Sequence, residues 1–105
     1  MKSFFIYVTA QDDAEAKRIA RAVVEERLAA CANVLGSIQS VYWWDGKVCE
    51  DNEVALVLKT SDLRKSELIE RIKELHSYDI PCITCLPIVD GNSDFLKWIS
   101  TETTK

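Results

Sequence analysis

The chain opens on Phe4, Phe5, Ile6, Tyr7 and Val8, a run of aromatic and β-branched residues that predicts a strand over 4–10. Asp12 then offers an N-cap, and Glu15 three positions later completes a capping box. Ala16, Ile19, Ala20 and Val23 follow helical spacing, with Lys17, Arg18, Arg21 and Glu25 off that stripe, so a helix is expected from there to about Ala30. Residues 31–44 read as a long strand. Val34, Ile38, Tyr42 and Trp44 are expected on one face and Leu35, Val41 and Trp43 on the other, with Gly36 marking a bulge or bend. Asp45-Gly46 is a two-residue hairpin signal. A return strand runs over 47–60, interrupted near its tip by the polar stretch 49–53. Ser61 or Asp62 is expected to cap a second helix striped by Leu68, Ile69, Ile72 and Leu75. Pro81 closes the connection, 82–89 forms a last strand, and Ser93 is expected to cap a short final helix carrying Phe95, Leu96, Trp98 and Ile99.

The resulting order is β-α-β-β-α-β plus a C-terminal helix. Right-handed crossovers fold that order into an α+β ferredoxin-like sandwich with a long hairpin between its second and third strands. Two helices cover one face of a four-stranded sheet, yet the strands are apolar on both: Phe4, Ile6 and Val8 alternate with Phe5 and Tyr7, and Cys82, Leu86 and Ile88 with Ile83 and Cys85. The hairpin arms are longer than the outer strands and carry Tyr42, Trp43 and Trp44 on their distal part. An aromatic, unpaired edge invites pairing with another chain, so these three residues are expected at an oligomer interface of a closed homo-oligomer.

Composition narrows the class without naming a function. The 105 residues make one domain, 1–105. A hydrophobic fraction of 48% excludes disorder, and three glycines with two prolines exclude collagenous or low-complexity chains. The net charge of −4 argues against a nucleic-acid or anionic-membrane partner, each of which calls for a basic field. The opening apolar run is too short for a membrane span or export signal, which with four cysteines makes a cytoplasmic protein with reduced thiols the expectation.

The chain resembles the CutA family of divalent-cation tolerance proteins along almost its whole length. The resemblance is carried by Ala29-Ala30-Cys31-Ala32-Asn33, by Ser40-Val41-Tyr42-Trp43-Trp44-Asp45-Gly46-Lys47, by Glu53 and Leu58-Lys59-Thr60, by His76, Tyr78 and Pro81, and by Leu86-Pro87-Ile88. The segment 91–98, Gly-Asn-Ser-Asp-Phe-Leu-Lys-Trp, extends it. It implies a ferredoxin-like homotrimer, similar in architecture to P-II signalling proteins, and a role tied to copper or other divalent cations with no enzymatic reaction. Three departures bear on metal. Val8 stands where some relatives carry a cysteine proposed as a copper ligand, Ser77 replaces a proline after the family histidine, and Cys82 replaces an acidic residue.

His76 is the only histidine and Cys82 lies close behind it in sequence, so these two are the candidate metal residues. The competing reading of His76 is a helix-end side chain that interacts with the last carbonyls. Cys82-Ile83-Thr84-Cys85 has C-x-x-C spacing, but residues three apart on a strand point to opposite faces, so the pair is not expected to share an ion. Tyr42, Trp43 and Trp44 divide between intersubunit packing and a ligand cleft at a subunit boundary. Glu50, Asp51 and Glu53 offer oxygen ligands to a hard cation or a solvated hairpin end. No Ser-His-Asp arrangement or glycine-rich phosphate loop is present, so no enzyme is expected. Two function classes remain: a non-enzymatic metal-binding or metal-signalling trimer, and a P-II-like sensor or assembly module using intersubunit clefts.

Overall fold

The computed structural model describes residues 2–104; Met1 and Lys105, the ends of the expected domain, lie outside them. The element order is β1 (Ser3–Ala10), α1 (Asp13–Glu25), β2 (Cys31–Trp44), β3 (Lys47–Ser61), α2 (Lys65–Leu75), β4 (Ile83–Ile88) and α3 (Ser93–Glu102). The strands form one antiparallel sheet in the order β2-β3-β1-β4, the ferredoxin-like arrangement expected from the sequence. Ile6, Val8, Leu56 and Leu58 of the sheet bury completely against Ile19 and Val23 of α1 and Leu68 and Ile72 of α2. Each such side chain contributes about 1.5–3 kcal/mol, which makes this layer the main stabilising element.

Local chemistry sets the helix ends, and three of them differ from expectation. Asp12 caps α1 by accepting from the Glu15 N–H at 2.8 Å, as the capping box predicts. The helix stops at Glu25 rather than near Ala30. Arg27 adopts a left-handed φ of 61°, and the turn swings Leu28 and Ala29 inward to bury. The buried guanidinium of Arg64 then donates to the carbonyls of Glu26 and Arg27 at this helix end. Arg64 itself, not Ser61 or Asp62, occupies the N-cap of α2, and no side chain caps that helix. Ser61 is unavailable because β3 extends through it and its hydroxyl pairs with that of Thr103 at 2.8 Å. Asn92 rather than Ser93 caps α3, accepting from the Asp94 N–H. The polar stretch 49–53 does not interrupt β3, because it is paired throughout with β2.

One inserted residue reorganises the long strand. Val34 pairs with Leu56 and Gly36 with Ala55, leaving Leu35 as the extra residue of a bulge. Val34 therefore faces the helices with Leu56, whereas Ile38, paired with Glu53, faces the opposite side. Val34 and Ile38 do not share a face, contrary to the sequence expectation, since a single inserted residue inverts a period of two. Gly36 makes the bulge with φ of 106°, a conformation L-residues avoid, while a Cβ there would meet no atom within 4 Å. Gly36→Ala should therefore cost about 1–3 kcal/mol through backbone strain alone, read as a lower denaturation midpoint with an unchanged m-value.

Beyond β1, the arms of β2 and β3 pair only with each other, from Ile38–Glu53 to Trp44–Lys47. Fourteen residues of strand span about 46 Å, which accounts for the longest molecular dimension of 44 Å. The open face of the sheet is covered in part by α3, where Ile99 is fully buried and Lys59 lies over the Phe95 ring. Leu86 on the open face remains half exposed, as do Trp44 and Val48 on the arms.

Candidate functional site

Where the hairpin leaves the sheet, its wall and the α2–β4 connection enclose a cleft of about 490 Å³. Tyr7 and Thr9 of β1 form part of its lining, and the bulge turns Ile38, Ser40, Tyr42 and Trp44 toward it. Glu53 enters from β3, and Tyr78, Asp79, Ile80 and Cys82 enter from the connection. Most of the lining is apolar or aromatic, with two carboxylates and no Lys, Arg or His.

A buried polar network holds that connection. The His76 side chain is fully buried, with Nε2 2.7 Å from the Thr9 carbonyl and Nδ1 accepting from the Tyr78 N–H at 3.1 Å. The acceptor role of Nδ1 assigns the proton to Nε2, which donates to Thr9. Glu15 lies beneath, accepting from the N–H groups of Gln11 at 3.0 Å and Ser77 at 2.9 Å, with its Oε1 3.9 Å from His76 Nδ1. Burial pushes the Glu15 carboxyl up. Hydrogen bonds from the Ser77 side chain and from the Gln11 and Ser77 backbone, with His76 nearby, more than offset this and hold it below its ordinary value. Arg18 reaches the same carboxylate at 3.6 Å and donates to the Leu75 carbonyl.

The network continues into the cleft. Tyr78 stacks obliquely on His76, with ring centroids 4.7 Å apart, and its hydroxyl donates to Glu53 Oε1 at 2.9 Å. Burial, then the Glu53 hydrogen bond and charge, raise the Tyr78 phenol well above its ordinary value, so it remains a donor. Tyr42 donates to Asp51 across the arm.

The expected site residues therefore separate. Both ring nitrogens of His76 are engaged, leaving no free lone pair for a cation. Cys82 is exposed at the cleft, while Cys85 packs toward the core, so the C-x-x-C thiols lie on opposite faces. Burial pushes the Cys85 thiol up, partly offset by Lys65. Among the described residues, no group of three or more His, Cys, Asp or Glu is arranged to hold a metal ion, so one chain does not supply a closed coordination shell. Tyr42 and Trp44 line the cleft, whereas Trp43 points to the other side of the arm and is 75% exposed. Tyr7, Thr9, Tyr78, Asp79 and Ile80 were not expected at a site. The nearest signal is Tyr78-Asp79 following the lone histidine, but only the bulge turns the hairpin wall toward them.

A four-stranded βαββαβ sandwich with one face of its sheet open, an overlong hairpin and a cleft at their junction defines a long-hairpin ferredoxin-like protein. The CutA1 divalent ion tolerance protein family matches residues 4–102, and the chain belongs to that family. The divalent-cation tolerance protein CutA of Pyrococcus horikoshii is 46% identical over 95% of this chain and 97% of its own. CutA 1 of Oryza sativa, a chloroplastic protein, is 42% identical over 96% of this chain, which spans only 57% of that relative's length. The structure of the periplasmic CutA of Archaeoglobus fulgidus superposes with a TM-score of 0.93 at 40% identity, covering 97% of this chain and 99% of that one.

Membership supports a role in metal tolerance. It also corrects one expectation. Relatives that share this domain are named chloroplastic and periplasmic, so the cytoplasmic assignment does not stand. That expectation rested on the short opening apolar run and on the free thiols, and the four cysteines are dispersed between partly buried and exposed positions in a way that reflects packing rather than a redox compartment.

Proposed function

We propose that the protein acts in divalent-cation tolerance without catalysis, as a homotrimer whose single domains turn their open sheet faces inward. The observation that carries this reading is the apolar surface left by one chain. Val41, Trp43 and Val48 on one side of the arms, and Leu86 on the open sheet face, are each about half exposed or more, apolar surface of the kind that marks a contact with another chain. Three is the number that the family resemblance implies.

Of the two candidate metal residues, Cys82 carries the metal reading. Its thiol is exposed at the cleft that Asp79 and Glu53 also line, whereas His76 is committed to the fold. Thiolate suits copper, and a neighbouring chain would complete the shell that one chain leaves open. The P-II-like sensor reading has the cleft in its favour, but the lining lacks the basic groups that a nucleotide phosphate would demand.

Native mass spectrometry of the purified protein with added copper tests both parts. The expected result is a three-chain mass that retains copper, with retention lost in Cys82→Ser and the mass unchanged. A monomer at micromolar concentration sinks the assembly, and equal copper in the variant sinks the thiol.

A further inference from the structure

Apart from the Cys82 thiol, the same cleft has a chemistry that metal tolerance does not use. Its volume of about 490 Å³ lies within the range of small-molecule sites, roughly 300–1,000 Å³. Aromatic faces from Tyr7, Tyr42, Trp44 and Tyr78 meet there with the carboxylates of Glu53 and Asp79. Neither carboxylate belongs to any ion pair among the described residues. With no basic side chain in the lining, the cleft is repulsive to phosphates and carboxylates and attractive to cations.

A bare divalent ion does not exploit these walls. It requires about six oxygen ligands, and two carboxylates among aromatic rings leave most of that shell to water. An organic ammonium uses both features, because its charge pairs with a carboxylate while its alkyl groups lie on the ring faces, as in aromatic cages for quaternary ammonium. Preorganisation points the same way. Tyr78 already holds Oε1 of Glu53, and the His76 and Glu15 hydrogen bonds fix the segment that carries Tyr78.

We propose that the cleft between the hairpin and the α2–β4 connection is a binding site for a small organic ammonium, with Glu53 and Asp79 as counter-charges and Tyr42, Trp44 and Tyr78 as the cage. This site goes beyond the metal-tolerance role and does not depend on it.

Choline chloride is a suitable probe, added to the full chain in its native assembly. Trp43→Phe combined with Trp98→Phe leaves Trp44 as the sole tryptophan reporter. Choline should change Trp44 fluorescence saturably, while sodium chloride at matched ionic strength and a nucleoside monophosphate should not. Loss of a charged partner weakens such binding by about tenfold or more, the result expected for Glu53→Gln and, as a second variant at an exposed position, Asp79→Asn. Asp90→Asn, an exposed carboxylate outside the cleft lining, should leave choline binding intact. No saturable response at millimolar choline overturns the proposal. So does unchanged affinity in both carboxylate variants, or binding of the monophosphate as tightly as choline.

Discussion

Glu15→Gln should destabilise the protein by about 2–4 kcal/mol at neutral pH, although the substitution changes only one atom of the side chain. The carboxylate is 2% exposed and accepts from two backbone N–H groups of distant segments, Gln11 before α1 and Ser77 after α2, the latter 62 residues along the chain from Glu15. A glutamine offers one acceptor where two are used. Its amide turns an N–H toward a donor that then has no partner, the arrangement that costs most in a buried site. Urea denaturation should show the loss as a lower midpoint. The connection carrying Tyr78 should also loosen, giving faster amide exchange at Ser77 and Tyr78.

The same carboxylate sets a pH dependence. Its folded pKa lies below its ordinary value, so its contribution is fully present above the unfolded value near about 4.3. The contribution is lost as pH falls through the folded value. The stability gap between wild type and Glu15→Gln should therefore be constant from neutrality to about pH 5 and close progressively below about 4.3. A gap that stays constant into strong acid would show that Glu15 acts through packing and not through its charge.

The fold was legible in the sequence because its signals are local. Asp45 and Gly46, at φ of 52° and 77°, form the doubly positive turn that Asp-Gly predicts, and the strands on either side follow from it. The helices announce themselves by stripe and, for α1, by cap. What escaped is what depends on one residue's displacement or on distance along the chain. Gly36 signals a bulge, but nothing in the composition says that Leu35 is the extra residue, and that detail decides whether Tyr42 and Trp44 share the face of Val34, toward the helices, or the opposite one. Glu15 reads locally as a capping-box residue, and it does reach back to the Gln11 N–H. Its second partner, Ser77, and its neighbour His76 come from the far end of α2, so the reason that His76 is committed to structure is not visible in any window of sequence. The cleft is assembled from β1, the hairpin and the α2–β4 connection, and a tertiary site of that kind has no linear motif.

Trp43→Glu should convert the proposed homotrimer to monomers while leaving the fold of each chain intact. Trp43 is 75% exposed, and its cross-strand partner Val48 is 54% exposed, on the side of the arm that faces away from the cleft. Neither supports the core of its own chain, so far-UV circular dichroism should be unchanged. A tryptophan that becomes covered removes about 150–250 Å² from water, and at about 25 cal/mol per Å² this is worth roughly 4–6 kcal/mol per chain. Glutamate forfeits that gain and adds a charge that must be desolvated at the contact, in every copy of a closed ring. Because the loss repeats at each interface, a weakening of about 2–4 kcal/mol apiece exceeds what a small assembly can absorb at micromolar concentration. Sedimentation velocity reads the outcome directly: a single slow species near 12 kDa for Trp43→Glu, against a larger one for wild type. The contrast with Glu15→Gln is informative, since that variant should lose stability without losing its partners. A Trp43→Glu protein that sediments like wild type would mean that the arm meets solvent on this face, and the apolar surface of the hairpin would then need another explanation.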